Sequence, residues 1–254
     1  MKKLVILCMI TVLVLVPLAA ALGCQQQPAP APTPAPTPAP AAPTPTPSPP
    51  PPEPSPPPEP TVISEVVLYS DDFSDETRGW DTFDDEDGSA FYHDEALHLK
   101  NNTFAEYDTV SFYSRQEFTD FVLEVETKLV DGTDDNSHHV LCRVQPTIES
   151  NNYRFVISAD GYYGLGKEVN GELIEMISMT RSIHIRKGKD TVNLMRVECI
   201  GSTLRLSANG HLLVEEVDST FTSGFLGLGA TAWTEQHGKT FTEITFDNLV
   251  VTTP

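Results

Sequence analysis

Basic residues and the common catalytic signatures are scarce in this sequence. Only 16 of its 254 residues are Lys or Arg, against 36 Asp or Glu, and the formal charge is −20. Such an acidic chain is a poor partner for nucleic acid or for anionic lipid headgroups. It has no Gly-x-Ser-x-Gly motif and no phosphate loop, and no helical pattern follows its glycine-rich run at 224–229. Nucleotide chemistry is therefore not indicated.

Proline is nearly missing from the larger part of the chain. Nineteen of the 22 prolines fall between positions 25 and 60, and only Pro146 interrupts the region that follows. This distribution predicts a Pro-rich linker over 24–62 and one folded domain over 63–254. At about 3.1 Å per residue, a polyproline II segment of this length would reach on the order of 110 Å as a semi-rigid spacer. A disordered linker with no required reach is the alternative.

The amino terminus combines Lys2 and Lys3 with an apolar run over 4–22 that ends at Gly23-Cys24. This order is typical of a secretory signal. The cysteine after a small residue resembles the lipobox of bacterial lipoproteins. That resemblance implies a signal peptide over 1–23, a lipid on Cys24 and a protein anchored outside the cytoplasmic membrane. Losing both lysines leaves 14 basic against 36 acidic residues, a charge near −22. An uncleaved membrane helix is the alternative.

The folded region alternates apolar and polar residues with period two. In residues 191–217, Met195, Val197 and Cys199 alternate with polar neighbours, and Asn209-Gly210 is the pair best suited to a type I′ turn. Many short strands with turn residues every 8–12 positions, and no helical stripe, predict an all-β fold. We expect a two-sheet antiparallel jelly-roll sandwich.

Several short motifs occupy turn and core positions of the folded region. They are Asp72-Phe73-Ser74, Gly79-Trp80, Asn152-Tyr153-Arg154-Phe155, Asp160-Gly161-Tyr162-Tyr163-Gly164, Arg196-Val197-Glu198, Asn209-Gly210, Gly224-Phe225-Leu226-Gly227-Leu228 and Phe246-Asp247-Asn248-Leu249. Together they resemble the concanavalin A-like lectin/glucanase jelly roll, and most closely the bacterial secreted domains grouped with 3-keto-disaccharide hydrolases. The resemblance implies two antiparallel sheets, a concave surface that faces a glycan, and first and last strands that pair.

Glu124 and Glu126 are the best-placed pair of carboxylates. They lie two apart on one strand, so their backbones are about 6.5–7 Å apart on the same face. Glycosidases hold two carboxyl groups at roughly 5–5.5 Å or 6.5–9.5 Å. However, glucanases of this fold carry a third acid on that strand, where this chain has Lys128. A solvated outer face is the favoured interpretation, with catalysis as the alternative.

Calcium is the most credible metal ion. Asp72 follows the opening strand and Asp247 lies in the closing strand, where the fold resemblance implies a structural Ca²⁺. Acidic loops at 84–88 and 131–136 also offer hard oxygen ligands, although ordinary turn chemistry accounts for them as well. His138 and His139 are adjacent on a strand and point to opposite faces, so they cannot share a zinc ion.

A glycan site requires exposed aromatic rings beside polar groups. Trp233 is the first candidate because its neighbours have loop composition. Tyr162, Tyr163, Tyr113 and Arg143 are the candidates for a concave sheet, whereas Trp80 is assigned to the core.

Two cysteines, Cys142 and Cys199, lie in the folded region at inward strand positions. Outside the cytoplasm they could form a disulfide, but two buried free thiols are an equal alternative.

Three functions remain open from the sequence. The favoured one is a lipid-anchored, stalked domain that binds extracellular carbohydrate or a similar ligand without catalysis. The second is a glycoside hydrolase, or a hydrolase or lyase that acts on 3-keto-disaccharides. The third is a structural adhesion module that docks on protein partners.

Overall fold

The computed structural model describes residues 65–103, 108–233, 235–236 and 239–254. The predicted signal peptide (1–23), Cys24 and the Pro-rich segment (24–62) lie outside the described residues. Within these ranges the chain forms strands and one short 3-10 helix at Glu76–Arg78. No helix in the described part is long and apolar enough to cross a bilayer. The strands are β1 (Val67–Asp71), β2 (Phe83–Asp84), β3 (Gly88–His93), β4 (Ala96–Asn101), β5 (Thr109–Phe118), β6 (Phe121–Asp131), β7 (Ser137–Val144), β8 (Asn152–Ser158), β9 (Tyr162–Val169), β10 (Glu172–Arg181), β11 (Asn193–Ile200), β12 (Thr203–Ala208), β13 (His211–Val217), β14 (Gly224–Thr231), β15 (Glu235–Gln236), β16 (Lys239–Thr240) and β17 (Thr242–Thr252).

Two large antiparallel sheets make up the domain, which confirms the predicted jelly-roll sandwich. The nine-stranded sheet runs β13-β12-β11-β6-β17-β4-β3-β2, with β1 paired to β17. The six-stranded sheet runs β10-β9-β8-β7-β14-β5, and β15 pairs with β16 as a separate ribbon. The pairing of Val67 with Thr252 and of Asp71 with Leu249 confirms that the first and last strands meet.

The core lies between the two sheets and is built from the apolar positions of the period-two pattern. Met195, Val197 and Cys199 of β11 are fully buried, as the alternation predicts. Across the sandwich they belong to the same cluster as Phe155 and Leu226 of the six-stranded sheet. Burial on one face of each strand leaves the opposite face of each sheet free to carry polar residues.

Both Asn-Gly pairs form the expected turns. Asn209 and Gly210 have φ of 52° and 82°, and Asn170 and Gly171 have φ of 53° and 77°. Positive φ at both central positions is the requirement of a type I′ hairpin. The second turn joins β9 to β10, the two strands at one edge of the six-stranded sheet.

Candidate functional site

A cavity of about 310 Å³ opens on the six-stranded sheet, on the face turned away from the core. We call this surface the open face. Gly164 and Gly166 of β9 line the cavity. A Cβ on Gly164 would lie 2.9 Å from Met179 Sδ, and a Cβ on Gly166 would lie 3.2 Å from Leu173 Cδ1. The absence of side chains at these two positions therefore lets Met179 and Leu173 of β10 pack closely against β9 along the wall of the cavity.

Arg154 forms the charged floor of this cavity. Its guanidinium donates to Glu168 Oε1 at 2.7 Å and also forms an ion pair with Asp108. Asn152 Nδ2 donates to the second oxygen of Glu168 at 2.8 Å. Because a carboxylate holds it on each side, the guanidinium is fixed in position. Arg154 Nε is buried and has no hydrogen-bond partner among the described residues.

Asp108 also anchors a second chain of hydrogen bonds. The Thr231 hydroxyl donates to Asp108 Oδ1, and Thr231 Oγ1 lies 3.1 Å from His139 Nε2. Because Thr231 gives its only proton to Asp108, it can only accept from His139, so His139 Nε2 carries the ring proton. His139 Nδ1 is then an acceptor, and it has no partner among the described residues.

Burial and the fixed charges set the protonation states here. Burial lowers the pKa of His139 to about 4, although the charge of Asp108 opposes this shift. Burial by itself would raise the pKa of Asp108, but His139, Arg154 and the Thr231 hydrogen bond together lower it below its usual value. At neutral pH the cavity therefore holds a neutral imidazole beside an ionised carboxylate.

Trp233 stands at the rim of the cavity with 44% of its surface exposed. Its indole Nε1 donates to Ser137 Oγ at 2.7 Å, and its backbone N–H donates to Asn136 Oδ1 at 3.0 Å. These two bonds orient the ring while leaving much of it accessible. The structure thus places this predicted aromatic beside the polar floor, as a sugar-stacking role requires.

Tyr113 and Arg143 are not accessible, which corrects their assignment to a ligand-binding surface. Tyr113 faces inward on β5 and packs against Trp80, with ring centroids 5.7 Å apart. Arg143 is fully buried, and its guanidinium donates to the carbonyl oxygens of Thr119 and Phe221. An arginine clamped by backbone carbonyls ties loops together and has little left to offer a ligand.

Tyr162 and Tyr163 have different positions on β9. Tyr163 is partly buried against the core. Alternation along the strand puts Tyr162 on the same side as Gly164, but it does not line the cavity. Of the four predicted sheet residues, only Tyr162 therefore shares the open face with Trp233.

Glu124 and Glu126 lie on the outer face of the nine-stranded sheet. Glu124 pairs with Arg196 at 2.9 Å, and Arg196 also contacts Glu198 at 3.0 Å. Glu126 Oε2 instead accepts from Asn248 Nδ2 at 3.1 Å. Each carboxylate thus has its own structural partner on a surface remote from the cavity described above.

The predicted calcium ligands also occupy the nine-stranded sheet and its margin. Asp72 Oδ1 accepts from Ser74 N at 3.1 Å and from Ser74 Oγ at 2.7 Å. Burial raises the pKa of Asp247, and the nearby charges of Glu126 and Asp72 add to that rise. In the described part of the chain, no three His, Cys, Asp or Glu side chains are grouped to hold a metal ion. A calcium ion at Asp72 and Asp247 stays a prediction.

Sequence reasoning missed the ionic floor of the cavity. Arg154 stands between inward-facing Tyr153 and Phe155, so alternation does place it on the open face. Asp108 and Glu168, in contrast, reach Arg154 from different strands. The prediction that the two adjacent histidines face opposite sides is confirmed, because His138 hydrogen-bonds inward to Thr127 Oγ1 at 2.8 Å.

The fold and cavity define a class: jelly-roll domains of the type shared by carbohydrate-binding modules and glycoside hydrolases. The profile of the 3-keto-alpha-glucoside-1,2-lyase-like domain matches residues 71–252, and the chain belongs to this family. No curated protein matches the sequence significantly.

Solved structures share the fold at low sequence identity. The carbohydrate-binding module CBM66 from Bacillus subtilis is 18% identical, with a TM-score of 0.53 over 68% of this chain and 94% of that one. A Bacillus subtilis protein of unknown function with a galectin-like fold is 14% identical, with a TM-score of 0.54 over 74% and 97%. The catalytic domain of an endo-1,3-beta-glucanase (laminarinase) from Thermotoga petrophila RKU-1 is 13% identical, with a TM-score of 0.53 over 75% and 98%. At these identities the likeness concerns the fold alone.

Proposed function

We propose that this domain binds carbohydrate without catalysis, in the cavity on the open face of the six-stranded sheet. The observation that carries the proposal is the juxtaposition of a half-exposed Trp233 with the buried ionic floor at Arg154. A sugar ring presents one apolar face and several hydroxyl groups, so it requires both kinds of surface at one place.

The floor offers complementary hydrogen-bonding groups to sugar hydroxyls. The carboxylates of Asp108 and Glu168, 15% and 14% exposed, accept hydrogen bonds, and the guanidinium of Arg154, 11% exposed, donates them. A hydroxyl group both donates and accepts, so a sugar can bond to both kinds of group.

The charge of the cavity favours a neutral glycan. Three carboxylates line it, those of Asp108, Glu168 and Glu175, and one cation, Arg154. The whole chain carries a formal charge of −20. Uronic or sulfated sugars would bring further negative charge into a partly desolvated site, which is unfavourable.

A glycan array and titration calorimetry with the full-length protein test the proposal. We expect binding to neutral oligosaccharides, and a loss of about tenfold or more for Trp233→Ala, because stacking aromatics carry a large share of such contacts. Phe91→Ala, on the outer face of the other sheet, is the matched control and should bind as the unaltered protein does. Absence of binding to every glycan, or equal affinity for the two variants, would contradict the proposal.

We further propose that Cys24 carries a lipid and that residues 24–62 hold the domain outside the cytoplasmic membrane, facing glycans of the surroundings or of the cell envelope. The signal-like leader and the concentration of proline support this arrangement. Labelling with a radioactive fatty acid should mark the protein and fail for Cys24→Ser. An unaltered protein that takes up no label and whose mass includes residues 1–23 would favour the uncleaved-helix alternative.

A lyase that acts on 3-keto-glucosides is the second candidate, because the family description points to it and His139 Nδ1 has a free lone pair. A 1,2-elimination takes the proton from C2 to a base, forms the C1–C2 double bond and breaks the C1–O bond of the glycoside, and the departing oxygen takes a proton from water and leaves as an alcohol. The low pKa of His139, about 4, makes it a weak base for this step. Appearance of enone absorbance with a 3-keto-disaccharide, abolished by His139→Gln, would establish the enzyme in place of the binding module.

A further inference from the structure

A second cavity of about 340 Å³ opens beside the first. It is lined by Phe112 of β5 and Phe225 of β14, and by the 145–151 loop. Phe112 is partly exposed and precedes the inward-facing Tyr113, so it projects from the open face. Phe225 is also partly exposed. Two accessible aromatic rings thus stand in a cavity of their own.

The loop that closes this second cavity is held in place by its own hydrogen bonds. Gln145 N donates to Asn151 O at 2.9 Å. Asn151 Nδ2 donates to Thr147 Oγ1 at 3.0 Å, and Asn151 Oδ1 accepts from Asn170 N at 2.9 Å. The cavity is therefore a built feature of the domain.

Asn152 connects the two cavities. It lines the second one, and its Nδ2 donates to Glu168, which lines the first. Asn152 is only 2% exposed, so its amide ties the floor of the first cavity to the wall of the second from below.

We infer that the two cavities are subsites of one groove and that the ligand is an oligosaccharide chain, not a single terminal sugar. This inference rests on the proposed function. Trp233 would stack on one sugar unit, and Phe112 and Phe225 on another.

Chain-length dependence of affinity tests the inference. Disaccharides and hexasaccharides of β-1,3-, β-1,4- and α-1,4-linked glucose are titrated into the full-length protein. The hexasaccharide should bind at least tenfold more tightly, because stacking at a second ring adds on the order of a tenfold gain. Phe225→Ala should lower hexasaccharide affinity about tenfold and leave disaccharide affinity unchanged. Trp233→Ala should weaken both, and Phe91→Ala neither.

Two results would be decisive against the second subsite. Equal affinity of the unaltered protein for both chain lengths would overturn it, and so would a Phe225→Ala variant, folded by its melting curve, that binds the hexasaccharide normally. Either result leaves the proposed function standing. If no glucan oligomer and no array glycan binds, the proposed function falls and the inference falls with it.

An independent observation concerns the two buried cysteines. Cys142 belongs to β7 of the six-stranded sheet and Cys199 to β11 of the nine-stranded sheet. Their sulfur atoms are 2.7 Å apart, and both side chains are fully buried. This is closer than two non-bonded sulfurs normally approach and not far from the bonded distance of about 2.05 Å.

We propose that Cys142 and Cys199 form a disulfide that joins the two sheets through the core. Two thiols lose two protons and two electrons, and a disulfide oxidant of the exporting compartment is reduced to two thiols. Burial raises the pKa of the Cys142 thiol well above its ordinary value. Because the thiolate is the reacting species, exchange must happen before the sandwich closes.

Peptide mapping of the full-length protein tests the disulfide. The protein is produced in a bacterial host that exports it by means of the protein's own leader, residues 1–23. Without reduction, the Cys142 and Cys199 peptides should appear as one linked species. Because the bond closes a long loop, the double variant Cys142→Ala/Cys199→Ala should have a melting temperature on the order of 10 °C lower than the unaltered protein. Adding a reductant should not change the melting temperature of this variant. Recovery of both cysteines as alkylated, unlinked peptides from unreduced protein would overturn the proposal.

Discussion

Replacing Arg154 with methionine provides the sharpest test of the ionic floor. The side chains of Arg154, Asp108 and Glu168 are only 11%, 15% and 14% exposed. Removing the shared cation leaves two carboxylates in a largely buried place. Breaking a buried ion pair in this way costs about 3–5 kcal/mol. For a domain of this size, that corresponds to a fall in melting temperature on the order of 10 °C.

The pH dependence of this loss has a definite sign. In the unaltered protein the pKa of Asp108 is lowered, so its stabilising contribution is present above the unfolded pKa of about 4 and is lost as pH falls through the folded value. His138 and His139 act in the opposite direction, because burial lowers their pKa to about 3 and about 4, so the unfolded chain takes up more protons than the folded one below about pH 6.5. Both the unaltered protein and Arg154→Met should therefore lose stability from pH 7 to pH 5. Removing the cation shifts the pKa of Asp108 upward relative to its value in the unaltered protein, so the difference in melting temperature between the two proteins should narrow as pH falls.

Arg196→Met is the matched control for this experiment. Arg196 pairs with Glu124 on the outer face of the nine-stranded sheet, with side chains 32% and 41% exposed. An exposed pair contributes about 0–1 kcal/mol, so this variant should melt within a few degrees of the unaltered protein. Equal losses for both variants, or a difference in melting temperature between Arg154→Met and the unaltered protein that widens from pH 7 to pH 5, would refute the reasoning. Adding Asp108→Asn and Glu168→Gln should restore most of the stability.

Three further predictions follow from other parts of the structure. Gly164→Val should push Met179, whose Sδ would lie 2.9 Å from the added Cβ, into the first cavity and lower glycan affinity at least tenfold in calorimetry; retained affinity in a variant that is folded by its melting curve would move the site elsewhere. Asp247→Asn should raise the melting temperature at neutral pH in EDTA, because a carboxylate of raised pKa beside Glu126 destabilises the fold when ionised, and it should abolish any Ca²⁺-dependent rise. Gly210→Ala, at a φ of 82°, should cost about 1–2 kcal/mol in denaturant unfolding without changing affinity; no measurable cost would contradict the turn assignment.

The fold could be predicted from the sequence because its determinants are local. Alternation in β11 and β6 fixes which side chains face the core, and the Asn-Gly pairs fix two hairpins. The pairing of β1 with β17 is not local, and it was expected only through the resemblance to a known fold.

The candidate site was harder to predict because it is assembled from distant strands. Trp233 could be recognised by its polar neighbours, but Tyr113 and Arg143 could not be told from surface residues. On β5 the buried side chains are Thr109, Ser111 and Tyr113, while the more apolar Val110 and Phe112 lie on the other face, so polarity gives the wrong face for this strand. Arg143 sits at an irregular position with a φ of 52°, where alternation no longer predicts which way a side chain points. Sequence patterns report the face of a regular strand and lose that information at a bulge.

The two outer surfaces of the sandwich differ in a way that points to the functional one. On the nine-stranded sheet, charged side chains such as Arg196 and Arg205 pair across neighbouring strands at partly exposed positions, which cost little to maintain. On the six-stranded sheet, Arg154 and its carboxylates are largely buried beside an unfilled cavity. Buried charge and empty volume both reduce the stability of the fold. Buried polar atoms without a hydrogen-bond partner among the described residues, such as Arg154 Nε, reduce it further. The buried charges, the unfilled cavity and the unpaired polar atoms all occur on this one surface, where they lower the stability of the fold. Proteins accept such a loss of stability at places where they bind a ligand.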